Sequence, residues 1–246
     1  MQQLTRRALF LCALSAGLLF HSVGHAQVRK SSGGKTLQKK TRSAPTHPAH
    51  PQVKFTTSMG SFIVELYPDK VPHTVANFLG YVRNKHYDGS VFHRVIPGFM
   101  VQGGGYDTHY NHIPTQQPIA HEGHQALRAG LRNTLGTIAM ARTNEPHSAT
   151  SQFYINMANN STLDPIAIPP GDPVKRFVYQ GRVFRNVPRS TLERSPALYG
   201  YTVFGRVISG MEVVRHIQNV PTGGNHVFSS DVPRKLVVIY SAVQIK

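Results

Sequence analysis

Short apolar segments of strand length, separated by turns rich in glycine and proline, fill most of the chain beyond residue 51. Within 52–69, Phe62, Val64 and Leu66 alternate with less apolar residues, and this period of two predicts strands with one buried face. We count about eight such segments along the chain, whereas helical spacing appears in only two places. Many short strands with few helices favour a closed antiparallel barrel or a sandwich.

The two helical segments lie at 69–89 and 211–220. In the first, apolar residues between Val75 and Val82 recur at the spacing of one helix face, and Pro72 suits a first turn. The second follows the last glycine of a predicted strand. We therefore expect two helices in a mainly β domain.

The N-terminal 51 residues do not have the pattern of a folded domain. Residues 1–26 place two arginines, Arg6 and Arg7, before a short apolar run and small residues, as a cleavable signal peptide does. The arginine pair leaves a twin-arginine export route as an alternative to the ordinary one. Residues 27–51 carry six Lys or Arg and no acid, which predicts a basic disordered tether. One domain, 52–246, remains.

The charge balance is strongly basic, with 27 Lys and Arg against 11 Asp and Glu and a formal charge of +16. Half of this excess lies in the predicted signal and tether. The domain has no basic and aromatic pattern typical of a nucleic-acid module, so we expect a solvated basic surface and no nucleic-acid partner. The one cysteine, Cys12, lies in the predicted signal, which excludes disulfides and a thiol nucleophile from the mature chain.

Residues 164–199 interrupt the regular succession of strand-length segments. This stretch is rich in proline and contains a hairpin-like pair of segments about Gln180 and Gly181. Its length exceeds an ordinary connection, which favours an insertion between two core strands that is either a functional or a species-specific loop.

Few motifs of known chemistry are present. The sequence has no nucleophile elbow and no phosphate-binding loop. Four histidines (His109, His112, His121 and His124) lie close together and leave a metal site as an alternative, but Gly123 interrupts any helix that would align the last two. We expect solvated loop histidines, no metal and no cofactor.

One arginine stands among apolar residues in the segment 91–105. On strand spacing, Phe92, Arg94 and Ile96 are expected to share a face. Either this strand lies at an edge, with the arginine reaching water, or the cation is placed beside an apolar pocket for a function.

The wider sequence favours the second interpretation. The run FHRVIPGFMVQGG at 92–104, with NTLGTIAMAR, PHSATSQFYI and YGYTVFGRVISGMEVV in that order, resembles the cyclophilin family of peptidyl-prolyl cis-trans isomerases, in particular its exported bacterial members. The resemblance covers 53–246. It implies a closed eight-stranded antiparallel β-barrel capped by two α-helices, with a substrate groove on the outside of the barrel.

The resemblance assigns roles to individual positions. Arg94 matches the catalytic arginine, and Gln102 is expected to hold it in place by hydrogen bonding. The positions that match the family's substrate groove are Phe99, Met100, Ala141, Arg142, Gln152, Tyr154, Leu163 and Tyr201.

Two positions depart from the family's pattern. Tyr154 adds a hydroxyl to the proline pocket, and this hydroxyl needs a partner. Thr162 replaces an aromatic residue that usually walls the groove, and the insertion is adjacent to it.

The resemblance implies an isomerase that assists the folding of exported proteins. Its partners are expected to be proline-containing peptides and unfolded exported proteins, its location the periplasm, and its state a monomer with no transmembrane span. A proline-peptide-binding module with weak or no catalysis is the alternative.

Overall fold

The computed structural model describes residues 50–246. The predicted signal peptide, 1–26, and all but the last two residues of the predicted tether, 27–51, lie outside the described residues. The first strand begins at Gln52, where the predicted domain begins. Within the described part, no helix is both long and apolar enough to cross a membrane.

Eight strands form one antiparallel sheet that curls into a half-barrel, and they correspond to the eight predicted segments. In chain order, these strands are β1 (Gln52–Thr57), β2 (Gly60–Leu66), β3 (Phe92–Ile96), β4 (Met100–Gly103), β5 (Thr137–Met140), β6 (Phe153–Asn156), β9 (Val203–Ser209) and β12 (Ile239–Gln244). Their order across the sheet is β12-β1-β2-β9-β5-β6-β4-β3.

The ends of this sheet, β3 and β12, are not paired with each other as strands in the described chain. A single bridge, between Val91 and Val238, joins the segments just before them. The fold is therefore mainly β, with an eight-stranded half-barrel, and the predicted full closure of the barrel is not established by strand pairing.

The two predicted helices are confirmed as α1 (Pro72–Arg83) and α4 (Met211–Gln218). Pro72 occupies the first turn of α1, as expected. Two acceptor oxygens for that turn come from Glu122, whose carboxylate accepts hydrogen bonds from the backbone N–H groups of His73 (3.2 Å) and Thr74 (2.8 Å). A carboxylate is favourable here because it faces the positive end of the helix dipole.

Smaller elements complete the chain, and the sequence did not predict most of them. They are α2 (Gly123–Arg128), α3 (Arg189–Glu193), the hairpin β7 (Val174–Tyr179) with β8 (Arg182–Val187), the two-residue strands β10 (Thr222–Gly223) and β11 (Val232–Pro233), and two 3₁₀ turns, Ser161–Leu163 and Pro196–Leu198.

Aromatic side chains fill the space between the concave face of the sheet and α1. Phe55 stacks on Phe62 with ring centroids 4.8 Å apart, and Phe78 of α1 lies 4.9 Å from Phe204. All four side chains are at most 1% exposed. Burial of each contributes about 1.5–3 kcal/mol, so this interior is packed and leaves the outer face of the sheet for a binding site.

The insertion forms a small unit with its own apolar cluster. The predicted hairpin is confirmed: β7 and β8 meet at Gln180 and Gly181, which both have positive φ (49° and 75°), as a tight two-residue turn requires. Inside the unit, Val174, Phe177 and Leu192 are buried against one another.

The insertion leaves and rejoins the barrel at one neck. The Tyr201 N–H donates to the Leu163 carbonyl (2.9 Å), and the Ile166 N–H donates to the Leu198 carbonyl (2.9 Å). Gly200 fits this neck because its φ is +56° and a Cβ there would meet the backbone of Asp164 and Pro165.

Candidate active site

A β-bulge places Arg94 on the outside of the barrel. Phe92 pairs with Gly103 but Arg94 pairs with Gln102, so the register shifts between them. Phe92 is consequently buried in the core at 1% exposure, while the Arg94 side chain is 47% exposed on the opposite face. The prediction that Phe92 shares a face with Arg94 is wrong, because one extra residue, His93, reverses the alternation of the strand.

Strand pairing aligns the predicted catalytic and pocket residues in one row. Arg94 pairs with Gln102, Gln102 with Tyr154, and Tyr154 with Ala139, across four adjacent strands. Directly paired residues in antiparallel strands project from the same face. The guanidinium therefore lies on the same surface as the predicted proline pocket, two strands away from Tyr154.

An apolar cluster on this outer surface, which we call the groove cluster, is separate from the barrel core. Its buried members are Met100, Ala139, Tyr154 and Val203, and its partly buried members are Ile96, Phe99, Leu131, Ala141, Leu163 and Tyr201. Six of the predicted substrate-binding residues belong to it. Four members were not predicted (Ala139, Val203, Ile96 and Leu131). For Ala139 and Val203, the alternation of residues along the strand does not decide which face of the sheet each side chain occupies.

A polar cavity of about 340 Å³ adjoins this cluster at Arg94. Arg94 Nε lies 3.6 Å from Asp231 Oδ2, and Asp231 comes from the loop before β11. Gln102 and Gln152 also line the cavity, and the Gln102 side-chain amide donates to Gln152 Oε1 (2.9 Å). The prediction that Gln102 holds Arg94 is not met among the described contacts, since the ion pair with Asp231 restrains the guanidinium instead.

His93, beside Arg94, is a buried member of the same cavity that the sequence did not assign. Its side chain is 3% exposed and packs against Tyr106 and Phe228, with ring centroids 4.7 and 5.8 Å away. Burial lowers the pKa of His93 to about 4, and the charge of Arg94 acts in the same direction. At neutral pH the imidazole is therefore uncharged, and Arg94 is the cation of this cavity.

A buried hydrogen-bond network supports the floor of the groove cluster. The Tyr154 hydroxyl, which needed a partner, donates to Asn133 Oδ1 (2.8 Å), and the Asn133 N–H donates to Asp164 Oδ1 (2.7 Å). Burial raises the pKa of Tyr154 well above its usual range. The hydroxyl thus stays a neutral donor that points away from the groove.

The same network reaches Phe99 of the groove cluster. Asn160 donates from its side-chain amide to Asn156 Oδ1 (2.7 Å) and to the Phe99 carbonyl (2.8 Å). Polar groups that are fully paired in a buried site fix the backbone around them. Phe99 is therefore held in position by this bond as well as by the turn that contains it.

Arg142 lies at the far side of the groove cluster, where Tyr201 provides its support. The guanidinium stands 4.7 Å from the centroid of the Tyr201 ring, and its Nε donates to the Gly200 carbonyl (2.9 Å). The Ala141 N–H donates to the Gln152 carbonyl (2.9 Å), which joins β5 to the segment before β6. Each of the ten predicted site residues therefore belongs to the groove cluster, lines the cavity at Arg94 or, in the case of Arg142, contacts a member of the groove cluster.

The insertion leaves this surface open. Its buried apolar residues pack within the insertion, and no described residue of 164–199 joins the groove cluster. Thr162 is exposed in the 3₁₀ turn beside Leu163, so the missing aromatic wall is not replaced from the insertion. Within residues 50–246, no three His, Cys, Asp or Glu side chains form a set that holds a metal ion.

Comparison with known proteins gives one consistent result. A family profile described as cyclophilin type peptidyl-prolyl cis-trans isomerase/CLD matches residues 52–244. A peptidyl-prolyl cis-trans isomerase of Acinetobacter baylyi is 42% identical over 200 residues, which cover 80% of this chain and 87% of that protein. Peptidyl-prolyl cis-trans isomerase B of Escherichia coli is 39% identical over 191 residues, or 77% of this chain and 96% of that protein.

Solved structures agree in fold. A cyclophilin type peptidyl-prolyl cis-trans isomerase of Cryptosporidium parvum superposes with a TM-score of 0.53 at 21% identity, and the match covers 80% of this chain and 98% of that one. A second structure of that protein, determined in the presence of the dipeptide Ala-Pro, gives the same TM-score over 79% of this chain and 99% of that one.

Proposed function

This chain belongs to the cyclophilin-type peptidyl-prolyl cis-trans isomerases, and we propose that Arg94 is the residue through which it accelerates rotation about X-Pro bonds. The groove cluster would hold the proline ring and the Ala141–Arg142 edge the flanking peptide. The observation that carries this assignment is the row from Arg94 to Tyr154, which sets a permanent cation on the same face as an apolar pocket.

The reaction requires no bond to break. Resonance gives the peptide bond partial double-bond character and a rotation barrier of about 18–20 kcal/mol. Before proline both isomers are populated, and they exchange over tens of seconds or more. A catalyst therefore needs only to bind the twisted amide better than either planar form.

A guanidinium beside the proline ring meets this requirement. As the amide twists, the proline nitrogen regains a lone pair, and a donor aimed at that nitrogen gains strength only in the twisted state. Arg94 is always charged, and its planar group presents several donors. Asp231, 3.6 Å away, limits the orientations of that group before substrate arrives.

The free energy of a typical charge-assisted hydrogen bond indicates how much of the rate acceleration Arg94 supplies. A charge-assisted hydrogen bond contributes about 1.5–3 kcal/mol, and each tenfold change in rate corresponds to about 1.4 kcal/mol. Arg94 alone therefore accounts for about one to two decades. The remainder comes from fixing the proline ring in the groove cluster and from removing water around the amide.

The substrates are proline-containing peptide segments, and we take exported proteins in the process of folding as the physiological ones. The predicted signal peptide, 1–26, and the absence of cysteine from the rest of the sequence support a periplasmic location. Mass spectrometry of the protein from the periplasmic fraction of a bacterial host would show a cut after Ala26. A chain of full length in the cytoplasm contradicts this role.

We also propose that the protein is a monomer. Light scattering, which measures the molar mass in solution, tests this oligomeric state.

We also propose that the half-barrel behaves as a closed barrel. The Phe92 N–H donates to the Val237 carbonyl (2.9 Å) and the Ile239 N–H to the Ser90 carbonyl (2.8 Å), which links the two ends of the sheet. Hydrogen exchange at Phe92 and Ile239 as slow as at the central strand β9 is the expected result.

A protease-coupled assay on residues 52–246 with a proline tetrapeptide tests the catalytic assignment. Wild type is expected to be active, Arg94→Ala to lose about one to two decades in kcat/KM, and Arg94→Lys to fall between them, because lysine keeps the charge but loses the planar group. Arg83→Ala, an exposed arginine at the end of α1, is the matched control. An inactive wild type that still binds the peptide would favour the alternative, a binding module.

A further inference from the structure

A second cavity lies where the insertion faces the barrel. It has a volume of about 410 Å³ and is bounded by α2, by the loop that carries His147, and by the insertion through Ile168 and α3. We call it the insertion cavity. Because α3 belongs to the insertion, this cavity exists only through the extra segment 164–199.

The charges around the insertion cavity are mostly positive. Arg128, Arg132 and Arg189 face a single acid, Glu193. Arg189 Nε donates to Glu193 Oε1 (2.8 Å), so the acid is already paired. Arg132 is tied by its Nη1 to the Leu127 carbonyl (2.7 Å). Arg128 makes no ion pair or side-chain hydrogen bond within the described residues, and it is the cation left for a ligand.

Histidine side chains contribute hydrogen-bonding groups to the lining of the insertion cavity. His121, His124 and His147 surround the Tyr199 ring, with centroids 5.3, 5.4 and 5.4 Å away. Burial, assisted by the charge of Arg142, lowers the pKa of His121 to about 4, so its ring is uncharged at neutral pH. His147 Nδ1 accepts from the His121 N–H (3.0 Å), which leaves its Nε2 to carry the donor proton.

Apolar surface lies between these polar groups. Leu127, Ala167, Ile168 and the Tyr199 ring complete the lining. A cavity with arginines, the imidazole donor of His147 and an apolar wall is suited to a group that combines a carboxylate with a short hydrocarbon stem, as an acidic side chain does.

One backbone carbonyl separates the insertion cavity from the groove. The Gly200 carbonyl accepts both from Arg142 Nε (2.9 Å), on the groove side, and from His121 Nε2 (3.2 Å), on the cavity side. The next residue, Tyr201, belongs to the groove cluster. A peptide that lies along Ala141 and Arg142 therefore passes the mouth of the cavity.

We propose that the insertion cavity is a specificity subsite that binds an acidic side chain of the proline-containing client, a few residues from the proline. This inference rests on the proposed use of the groove for peptides. The insertion thereby selects clients with a carboxylate near the proline, while the groove cluster and Arg94 act on the proline itself.

Calorimetric binding with peptide pairs tests this subsite. Each pair carries one Ala-Pro and differs only by Glu or Gln, placed two, three or four residues before or after the proline. At one of these positions, wild type is expected to bind the Glu peptide about fivefold more tightly, near the upper limit for an exposed ion pair. The preference should weaken at high salt, because the pair is screened.

Substitution at Arg128 provides the decisive comparison. Arg128→Ala should reduce the Glu-to-Gln ratio to about one, and Arg128→Glu should invert it. Arg176→Glu, on the exposed hairpin strand β7, changes the net charge equally and should keep the wild-type ratio. A ratio of one at every position in wild type, or an unchanged ratio in Arg128→Glu, would overturn the proposal.

This result is independent of the catalytic assignment. Binding is measured at equilibrium, so the Glu preference persists in Arg94→Ala even though that variant is expected to turn over slowly. If wild type shows no isomerase activity but keeps the Glu preference, the proposed catalytic role fails and the subsite stands. If activity is present and the ratio is one, the subsite alone fails.

Discussion

Two neighbouring residues, His93 and Arg94, differ in exposure at the bulge that separates Phe92 from Arg94. His93 is 3% exposed and lies against two aromatic rings, while the side chain of Arg94 is 47% exposed. The bulge itself has no signal in the sequence, which reads as an ordinary alternating strand. The arginine was predicted from the resemblance, but its separation from Phe92 depends on pairing with β4, which is a tertiary effect.

Burial of His93 predicts a loss of stability in acid. The unfolded chain binds a proton at this side chain below a pKa of about 6.5, while the folded protein binds it only near pH 4. The free energy of unfolding should therefore be highest at neutral pH and fall by up to about 3 kcal/mol for this group as the pH falls from 6.5 to 4. His121, with a pKa also near 4, adds in the same direction.

Urea unfolding at a series of pH values measures this effect. His93→Gln should show a shallower fall in stability between pH 6.5 and 4 than wild type, at the cost of weaker packing at pH 7. His109→Gln, at an exposed histidine, should keep the wild-type slope. Equal slopes in His93→Gln and wild type would show that this group does not control the acid response.

The hydrogen-bond network below the groove predicts that substitutions at Tyr154 and at Asn133 lower the free energy of unfolding by different amounts. Tyr154→Phe removes a donor, but Asn133 Oδ1 keeps a bond from Asn156 (3.2 Å), so a cost of about 1 kcal/mol is expected. The ring remains, and activity should stay within a few fold. Asn133→Ala leaves the Tyr154 hydroxyl without its acceptor and removes the side-chain amide that donates to Asp164 Oδ1 (2.9 Å), although the backbone N–H of residue 133 still donates to that carboxylate. This variant should cost about 2–4 kcal/mol. Chemical denaturation measures both values, and an equal loss of unfolding free energy in the two variants would contradict this description of the network.

At the scale of elements, the eight sheet strands and two main helices follow from periodicity, whereas short elements do not. The alternation of Phe62, Val64 and Leu66 corresponds to complete burial in the structure, at 1%, 0% and 0% exposure. By contrast, α2 is six residues long and depends on tertiary contacts, since helices of this length are not stable alone. The hairpin of the insertion was predictable because Gln180 and Gly181 provide a local turn.

The neck of the insertion requires glycine at position 200, and this requirement can be tested. Gly200 has φ of +56°, and a Cβ there would collide with the backbone of Asp164 and Pro165. Gly200→Ala is expected to cost about 3 kcal/mol or more, from both backbone conformation and overpacking. Gly130→Ala has a similar φ of +82° but open space around it, so it should cost only about 1–2 kcal/mol. Thermal unfolding of both variants checks the difference.

At the scale of the molecule, the site joins residues far apart in the sequence. The resemblance identified Arg94, Gln102 and Tyr154, and strand pairing places them in one row. The sequence did not provide Asp231 or the insertion cavity, since both arise where loops distant along the chain meet. Local pattern determines strands and their faces, but contacts between loops depend on the whole fold.

Exchange NMR on a proline peptide, with affinity and isomerisation rate taken from the same titration, tests the central claim most directly. Wild type and Arg94→Ala should bind the peptide with affinities that differ by only a few fold, because the groove cluster is intact in both. The rate of cis-trans exchange on the enzyme should be about 10–100-fold lower in Arg94→Ala. An Arg94→Ala variant that exchanges the bound peptide at the wild-type rate would contradict the account.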